Sequence, residues 1–242
     1  MPHGRPDWYN ITPMIHIHAS EDVNELAARL GAADVWDRRG NVVFIDNFRA
    51  GLTKWGSNVL DDNSSVTLEI RMSRLGGFLA RLDAAALAAD FAEIYQSVPV
   101  SLADVCGFEV GPVWANNTPE FTVYVMHDDA TDIYDYAIKC EPDLPKLSYL
   151  NDAGGWTPIS TSNMGDITST IVHSVKLVID LATREYVRCL FDGVAYSLVE
   201  LGAYRSDDGG NIGLGAFMRS GKYSAGASVV DLDYGIFTIN ED

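Results

Sequence analysis

The chain has 242 residues, 47% of them apolar, and carries 34 acidic against 17 basic side chains for a formal net charge of −17. That length and apolar content suit one large domain with a substantial core. A surface this negative repels phosphate backbones and argues against a nucleic-acid partner.

Residues 1–19 read as an extended arm, "MPHGRPDWYNITPMIHIHA", broken by three prolines and lacking a 3.6-residue period. Its apolar side chains, Trp8, Tyr9, Ile11, Met14, Ile15 and Ile17, are costly to leave in water and form a candidate assembly arm. The expected partner is the sandwich of the same chain or a neighbouring copy, which would make the protein a homo-oligomer. A helix is predicted over 20–31. Ser20 caps it, Glu21 and Asp22 suit the positive end of its dipole, and Gly31 suits the stop. Val23, Leu26, Ala27 and Leu30 make one apolar stripe. Arm and helix together form an N-terminal unit, 1–41, ahead of a domain at 42–242. The start lacks the basic and apolar regions of a secretory signal, and no apolar run is long enough to span a membrane.

From Val42 the period changes to two. "SVTLEIRM" alternates, with Val66, Leu68 and Ile70 on one face. The stretch "RLDAAALAADFAEIYQSVPV" (81–100) looks helical through its alanines, yet resolves into two strands. "GGFLARLD" is the first, and "DFAEIYQSVPV" the second, with Phe91, Glu93 and Tyr95 alternating against Ala92, Ile94 and Gln96. The intervening "AAALAA" is too short for a helix of its own, and alanine's propensity yields to context. "EFTVYVMH", "DIYDYAIKC" and "KLSYLND" are further β-branched and aromatic runs. In "SVKLVIDLATREYVRCLFDGVAYSLVEL", Val175, Leu177 and Ile179 share a face, as do Val187, Cys189 and Phe191. Asp192-Gly193 signals a two-residue hairpin. "ASVVDLDYGIFTI" supplies a last strand. Many antiparallel strands, one early helix and no βαβ alternation predict an all-β, two-sheet antiparallel jelly-roll sandwich.

Three segments then resemble the concanavalin A-like lectin/glucanase (LamG-type jelly-roll) superfamily: "FIDNFRAGLTKW", "YDYAIKCEPDLPKLSYLNDAGGWTPI" and "HSVKLVIDLATREYVRCLFDGVAYSL", followed by the closing "VVDLDYGIFTI". The resemblance covers roughly residues 42–240. The N-terminal "GRPDWY" arm is similar to that of bacteriophage- and prophage-associated members. The superfamily holds glycan-binding modules, glycoside hydrolases, lyases and structural virion domains, so fold alone does not select a function.

Hydrolases of this fold carry two carboxylates on one strand face, as Glu-x-Asp-x-(x)-Glu, and this sequence departs from that pattern. Asp132/Asp135 and Asp231/Asp233 are the nearest approaches. Glu69, Glu93, Glu109 and Glu120 stand singly in their strands and are read as solvated strand faces. In related carbohydrate-binding jelly rolls the first and last strands often hold a structural Ca²⁺. Here Asp46, Asp231 and Asp233 would be the ligands, completed by backbone carbonyls; no other cofactor is implied. Cys106, Cys140 and Cys189 lack metal or disulfide spacing and lie in apolar strands, so they are read as buried free thiols. His16 with His18, and His127 beside Asp128 and Asp129, lack a further ligand. "GGNIGLGAF" has no βαβ setting and is read as a strand connection. Three Asn-x-Ser/Thr sites, at Asn10, Asn63 and Asn116, are read as chance.

Sugar rings stack on exposed aromatic faces, and Trp114, Tyr134, Tyr136, Trp156 and Tyr204 have polar sequence neighbours. These are the glycan-platform candidates, with Trp55 and Trp156 also fitting a core pattern. Two functions remain. The first is a non-enzymatic structural or adhesive protein, a phage virion component released by lysis that assembles with itself or other virion proteins through its arm. The alternative is a carbohydrate-binding module or a divergent glycoside hydrolase or lyase. Neither involves a membrane.

Overall fold

The computed structural model describes residues 39–70, 78–85, 90–98, 104–114, 120–160, 172–207, 210, 212–221 and 227–241. The arm of residues 1–19 and the helix expected over 20–31 lie outside the described residues. Sixteen strands follow in order. They are β1 (Asn41–Asp46), β2 (Gly56–Val59), β3 (Ser65–Ile70), β4 (Phe78–Ala84), β5 (Phe91–Val98), β6 (Val105–Trp114), β7 (Phe121–Asp129) and β8 (Ile133–Glu141). Then come β9 (Lys146–Leu150), β10 (Trp156–Ser160), β11 (Val175–Asp180), β12 (Glu185–Phe191), β13 (Val194–Gly202), β14 (Tyr204–Ser206), β15 (Ile212–Gly221) and β16 (Ser228–Ile239). Among the described residues there is no helix, and so none long and apolar enough to cross a membrane.

The strands form two antiparallel eight-stranded sheets. Sheet A runs β13-β12-β11-β6-β16-β4-β3, with β1 also on β16. Sheet B runs β10-β9-β8-β7-β15-β5-β2, with β14 also on β8. This is the expected sandwich. The alanine-rich stretch falls as predicted into β4, ending at Ala84, and β5, starting at Phe91.

Alternation explains the layering, because successive strand side chains point to opposite faces. Phe108, Leu177, Tyr186 and Phe237 of sheet A meet Ile94, Val123, Tyr136, Ile138 and Met218 of sheet B, each at most 1% exposed. The hairpin at Asp192-Gly193 has positive φ at both residues, 48° and 79°, as a type I′ turn requires. The three cysteines are free and buried, and burial pushes their thiols well above the ordinary range.

Two expectations need correction. Val66, Leu68 and Ile70 do share a face, but β3 is an edge strand, so Leu68 is 38% and Ile70 78% exposed. In β12 the register shifts on both sides, between Val178 and Ile179 of β11 and between Tyr186 and Arg188 against β13. The resulting bulge leaves Val187 half-buried and turns Tyr186 into the core beside Cys189 and Phe191.

Candidate functional site

The outer face of sheet B carries side chains in rows that cross the strands, because paired residues point the same way. One row is polar: Asn58, Glu93, Arg219, Thr122, Lys139 and Ser148 pair in sequence across β2, β5, β15, β7, β8 and β9. The next is largely apolar. It runs Gly56, Tyr95, Phe217, Tyr124 and Ala137, and continues through Leu150 paired with Trp156. A third holds Gly215, Met126, Asp135 and Tyr204.

Between β7 and β10 these rows enclose a cleft of about 220 Å³. Thr122, Tyr124, Met126, Asp135, Ala137, Leu150, Trp156 and Arg219 line it. Tyr124 lies flat on Phe217, with ring centroids 4.4 Å apart and planes 6° apart, and Phe217 in turn stacks on Tyr95. The far wall is Trp156, with the Lys139 ammonium 4.9 Å from its ring centroid.

The near wall is held by Glu93, which is 2% exposed. Its Oε2 accepts from the Tyr124 hydroxyl at 2.5 Å and from Arg219 Nε at 2.8 Å, and its Oε1 accepts from Asn58 Nδ2 at 3.1 Å. Arg219 Nη2 also donates to the Tyr124 oxygen at 2.8 Å. The guanidinium lies over Phe91 and Tyr124, 4.4 and 4.9 Å from their centroids. Burial pushes the Tyr124 hydroxyl far above its ordinary range, so it remains a neutral donor. The wall is therefore rigid and fully hydrogen-bonded at Glu93.

The glycan-platform candidates divide. Trp156 lines the cleft, and Tyr204, half-buried, stands beside Asp135 on the same face. The other three point inward. Trp114 is 1% exposed and stacks on His173 at 5.2 Å, Tyr136 is 0% exposed against Tyr186, and Tyr134 is 4% exposed beneath Arg184. Sequence reasoning missed Tyr124, Arg219 and Thr122, although the alternation in "EFTVYVMH" sets Thr122, Tyr124 and Met126 opposite the core residues Val123 and Val125.

The carboxylates read as solvated are mostly not. Glu93, Glu109 and Glu120 are each 2% exposed. Burial of Glu93 and Glu109 is tolerated because these carboxylates are hydrogen-bonded, Glu109 by Ser174 and Tyr234. Glu93 and Asp135 are the carboxylates nearest the cleft, and three strand spacings separate β5 from β8, about 14 Å. A glycosidase pair needs about 5–9.5 Å. Of the calcium candidates, Asp46 accepts from Trp55 Nε1 at 2.7 Å and Lys54 Nζ at 3.1 Å. Asp231 is bidentate to Arg81, at 2.8 and 3.0 Å, and Asp233 is fully buried. The first and last strands do pair, Asp46 opposite Gly235. Among the described residues no group of three or more His, Cys, Asp or Glu is arranged to hold a metal.

No family model matches the chain, and no curated protein sequence matches it. Solved structures do. "Cellulose induced protein, Cip1" is 15% identical, with a TM-score of 0.55 covering 81% of this chain and 96% of that one. An endo-β-1,4-glucuronan lyase from the fungus Trichoderma reesei is 12% identical, with a TM-score of 0.52 over 83% of this chain and 96% of that one. A β-glucanase from Bacillus licheniformis is 14% identical, with a TM-score of 0.46 over 81% and 97%. At such identities the likeness is one of fold alone, the two-sheet antiparallel jelly-roll sandwich.

Proposed function

We propose that this protein is a non-enzymatic, adhesive jelly roll that holds a glycan in the cleft of sheet B. The observation that carries the reading is the cleft itself, with Tyr124, Trp156, Leu150 and Met126 for sugar faces beside Thr122, Asp135 and Arg219 for sugar hydroxyls. A polysaccharide ligand is in keeping with the endo-β-1,4-glucuronan lyase that shares the fold. The non-enzymatic part rests on the wide separation of Glu93 and Asp135 and on the occupied lone pairs of Glu93.

The further expectation, a virion component that assembles through Trp8, Tyr9, Ile11, Met14, Ile15 and Ile17, concerns residues outside the described ones. Deleting residues 2–19 and measuring mass by light scattering tests it: an oligomer that falls to a folded monomer supports the exchanged arm. The glycan reading is tested on a glycan array, with reducing ends assayed in parallel. Binding that Trp156→Ala abolishes, without release of reducing ends, supports it. Hydrolysis lost on a single Asp or Glu substitution refutes the non-enzymatic reading, and an empty array refutes the glycan.

A further inference from the structure

The polar row beside the cleft carries more than the binding of a neutral sugar requires. Lys139, 7% exposed, is flanked across the strands by Thr122 on β7 and Ser148 on β9. Both neighbours are hydroxyls, 4% and 0% exposed, and among the described residues neither Thr122 Oγ1 nor Ser148 Oγ has a hydrogen-bond partner. A buried hydroxyl without a partner is costly, so two of them either side of one ammonium need a reason. Thr122 lines the cleft, and Ser148 lies on the same side of β9 as the cleft residue Leu150. Arg219 is the next cation in the row, paired with Thr122.

Several charges along this row are paired. Arg219 is offset by Glu93, 2.5 Å away. Glu141 lies 3.5 Å from Lys139 and 3.6 Å from Lys146, so one carboxylate is shared by two ammonium groups. Asp135 lines the opposite part of the cleft. A chain with only 17 basic residues against 34 acidic ones thus places two cations, Arg219 and Lys139, in this one row.

We infer that Thr122, Lys139 and Ser148, with Arg219 alongside, form an oxyanion seat for the negatively charged group of an acidic sugar in the cleft. The inference rests on the glycan reading above and specifies its ligand class. Two hydroxyls flank an ammonium in neighbouring strands at the cleft, and a charged acceptor gains from Lys139 what a neutral hydroxyl does not. The anion is the carboxylate of a uronic acid or the sulfate of a sulfated sugar, which share this chemistry.

Calorimetric titration of the full chain tests it with three ligands of equal length: an oligouronate, its carboxyl-reduced neutral counterpart, and a sulfated oligosaccharide. The expected result is that at least one anionic ligand binds about tenfold or more tightly than the neutral one, the size expected for a charged hydrogen bond, and that this preference weakens as salt is raised. The carboxylate and sulfate arms distinguish the two sources. Lys139→Met lowers the ratio of anionic to neutral affinity toward one. Thr122→Val and Ser148→Ala reduce it several-fold, and they carry the test if Lys139→Met does not fold. Each should also raise the melting temperature, because it deletes a hydroxyl that only the ligand satisfies. Equal binding of neutral and anionic ligands overturns the oxyanion seat and leaves the glycan cleft standing. Binding of none of the three overturns both.

Discussion

The hydroxyl of Tyr186, on sheet A, accepts a hydrogen bond from the amide of Ala137, on sheet B, at 2.8 Å. It donates in turn to Leu150 O at 2.8 Å. Strand β8 pairs with β9 from Ile138 onward and with β14 up to Asp135, and Tyr186 fills the gap between these two partners. Ala137 and Leu150 are also floor residues of the cleft, so one phenol both ties the sheets together and keeps the floor open. Burial pushes its ionisation far above the ordinary range and keeps the proton in place.

Tyr186→Phe should therefore orphan a buried amide and a carbonyl while changing almost no volume. The expected cost is about 1–3 kcal/mol for each group left without a partner. Urea unfolding of the two proteins measures it. An unchanged midpoint would mean that β8 and β9 close up without the hydroxyl.

Glu241 lies buried against sheet A, its two oxygens 2.7 Å from Lys176 Nζ and 2.7 Å from Arg188 Nη2. The Thr238 hydroxyl also donates to it. Room for the carboxylate exists because residue 107 is glycine; a Cβ there would come within 2.8 Å of Glu241 Oε1. Glu241→Gln removes the carboxylate charge that Lys176 and Arg188 share, and a loss of about 3–5 kcal/mol is expected. Gly107→Ala should destabilise through the same pocket. Thermal melts of both variants provide the check.

His127 gives the protein an acid-sensitive element. Burial lowers its pKa from the usual 6.5, ahead of the opposing pull of Asp129, the push of Arg184 and the weaker pull of Asp128. A histidine held neutral in the fold binds its proton more readily when unfolded. Stability is thus fully present above the unfolded value and falls as pH drops below about 6.5 toward the lowered folded value. Comparing urea midpoints at pH 7.5 and pH 5 should show a smaller drop in His127→Gln than in the parent. Equal drops would remove His127 from the acid response.

Calcium would have to displace protein cations at the proposed ligands, Arg81 from Asp231 and Lys54 from Asp46. The expected outcome is the same melting temperature in EDTA and in millimolar Ca²⁺. A rise with Ca²⁺ would reveal binding to the folded state and restore the metal.

Period-two alternation and turn chemistry made the sandwich legible before any coordinates. "FDGV" announced a hairpin and "DFAEIYQSV" a strand, and both formed. The bulge at Val187 was not legible, since an extra residue changes the facing of its neighbours without altering local composition. Choosing platform aromatics by polar sequence neighbours misled for a physical reason. In a strand the adjacent residue points to the opposite face, so Asp135 between Tyr134 and Tyr136 marks those tyrosines as core residues. Trp156 follows a glycine turn on β10, the edge strand of sheet B, where it can line an open cleft. The polar row is a property of strand register, which pairs residues as distant as Arg219 and Glu93 and leaves no mark within either segment.

The places of β15 and β16 set the order in which this chain can fold as it is synthesised. Among the described strands, β16 alone joins β4 and β1 to β6 in sheet A, and β15 alone joins β5 to β7 in sheet B. Before residue 212 is made, the described strands therefore form four separate blocks with raw edges and a lone β1, and neither sheet has its middle. Both sheets wait for β15 and β16, which follow fourteen other described strands, so the chain must stay unaggregated until these two have been made. A net charge of −17 makes such half-built chains repel one another during that wait.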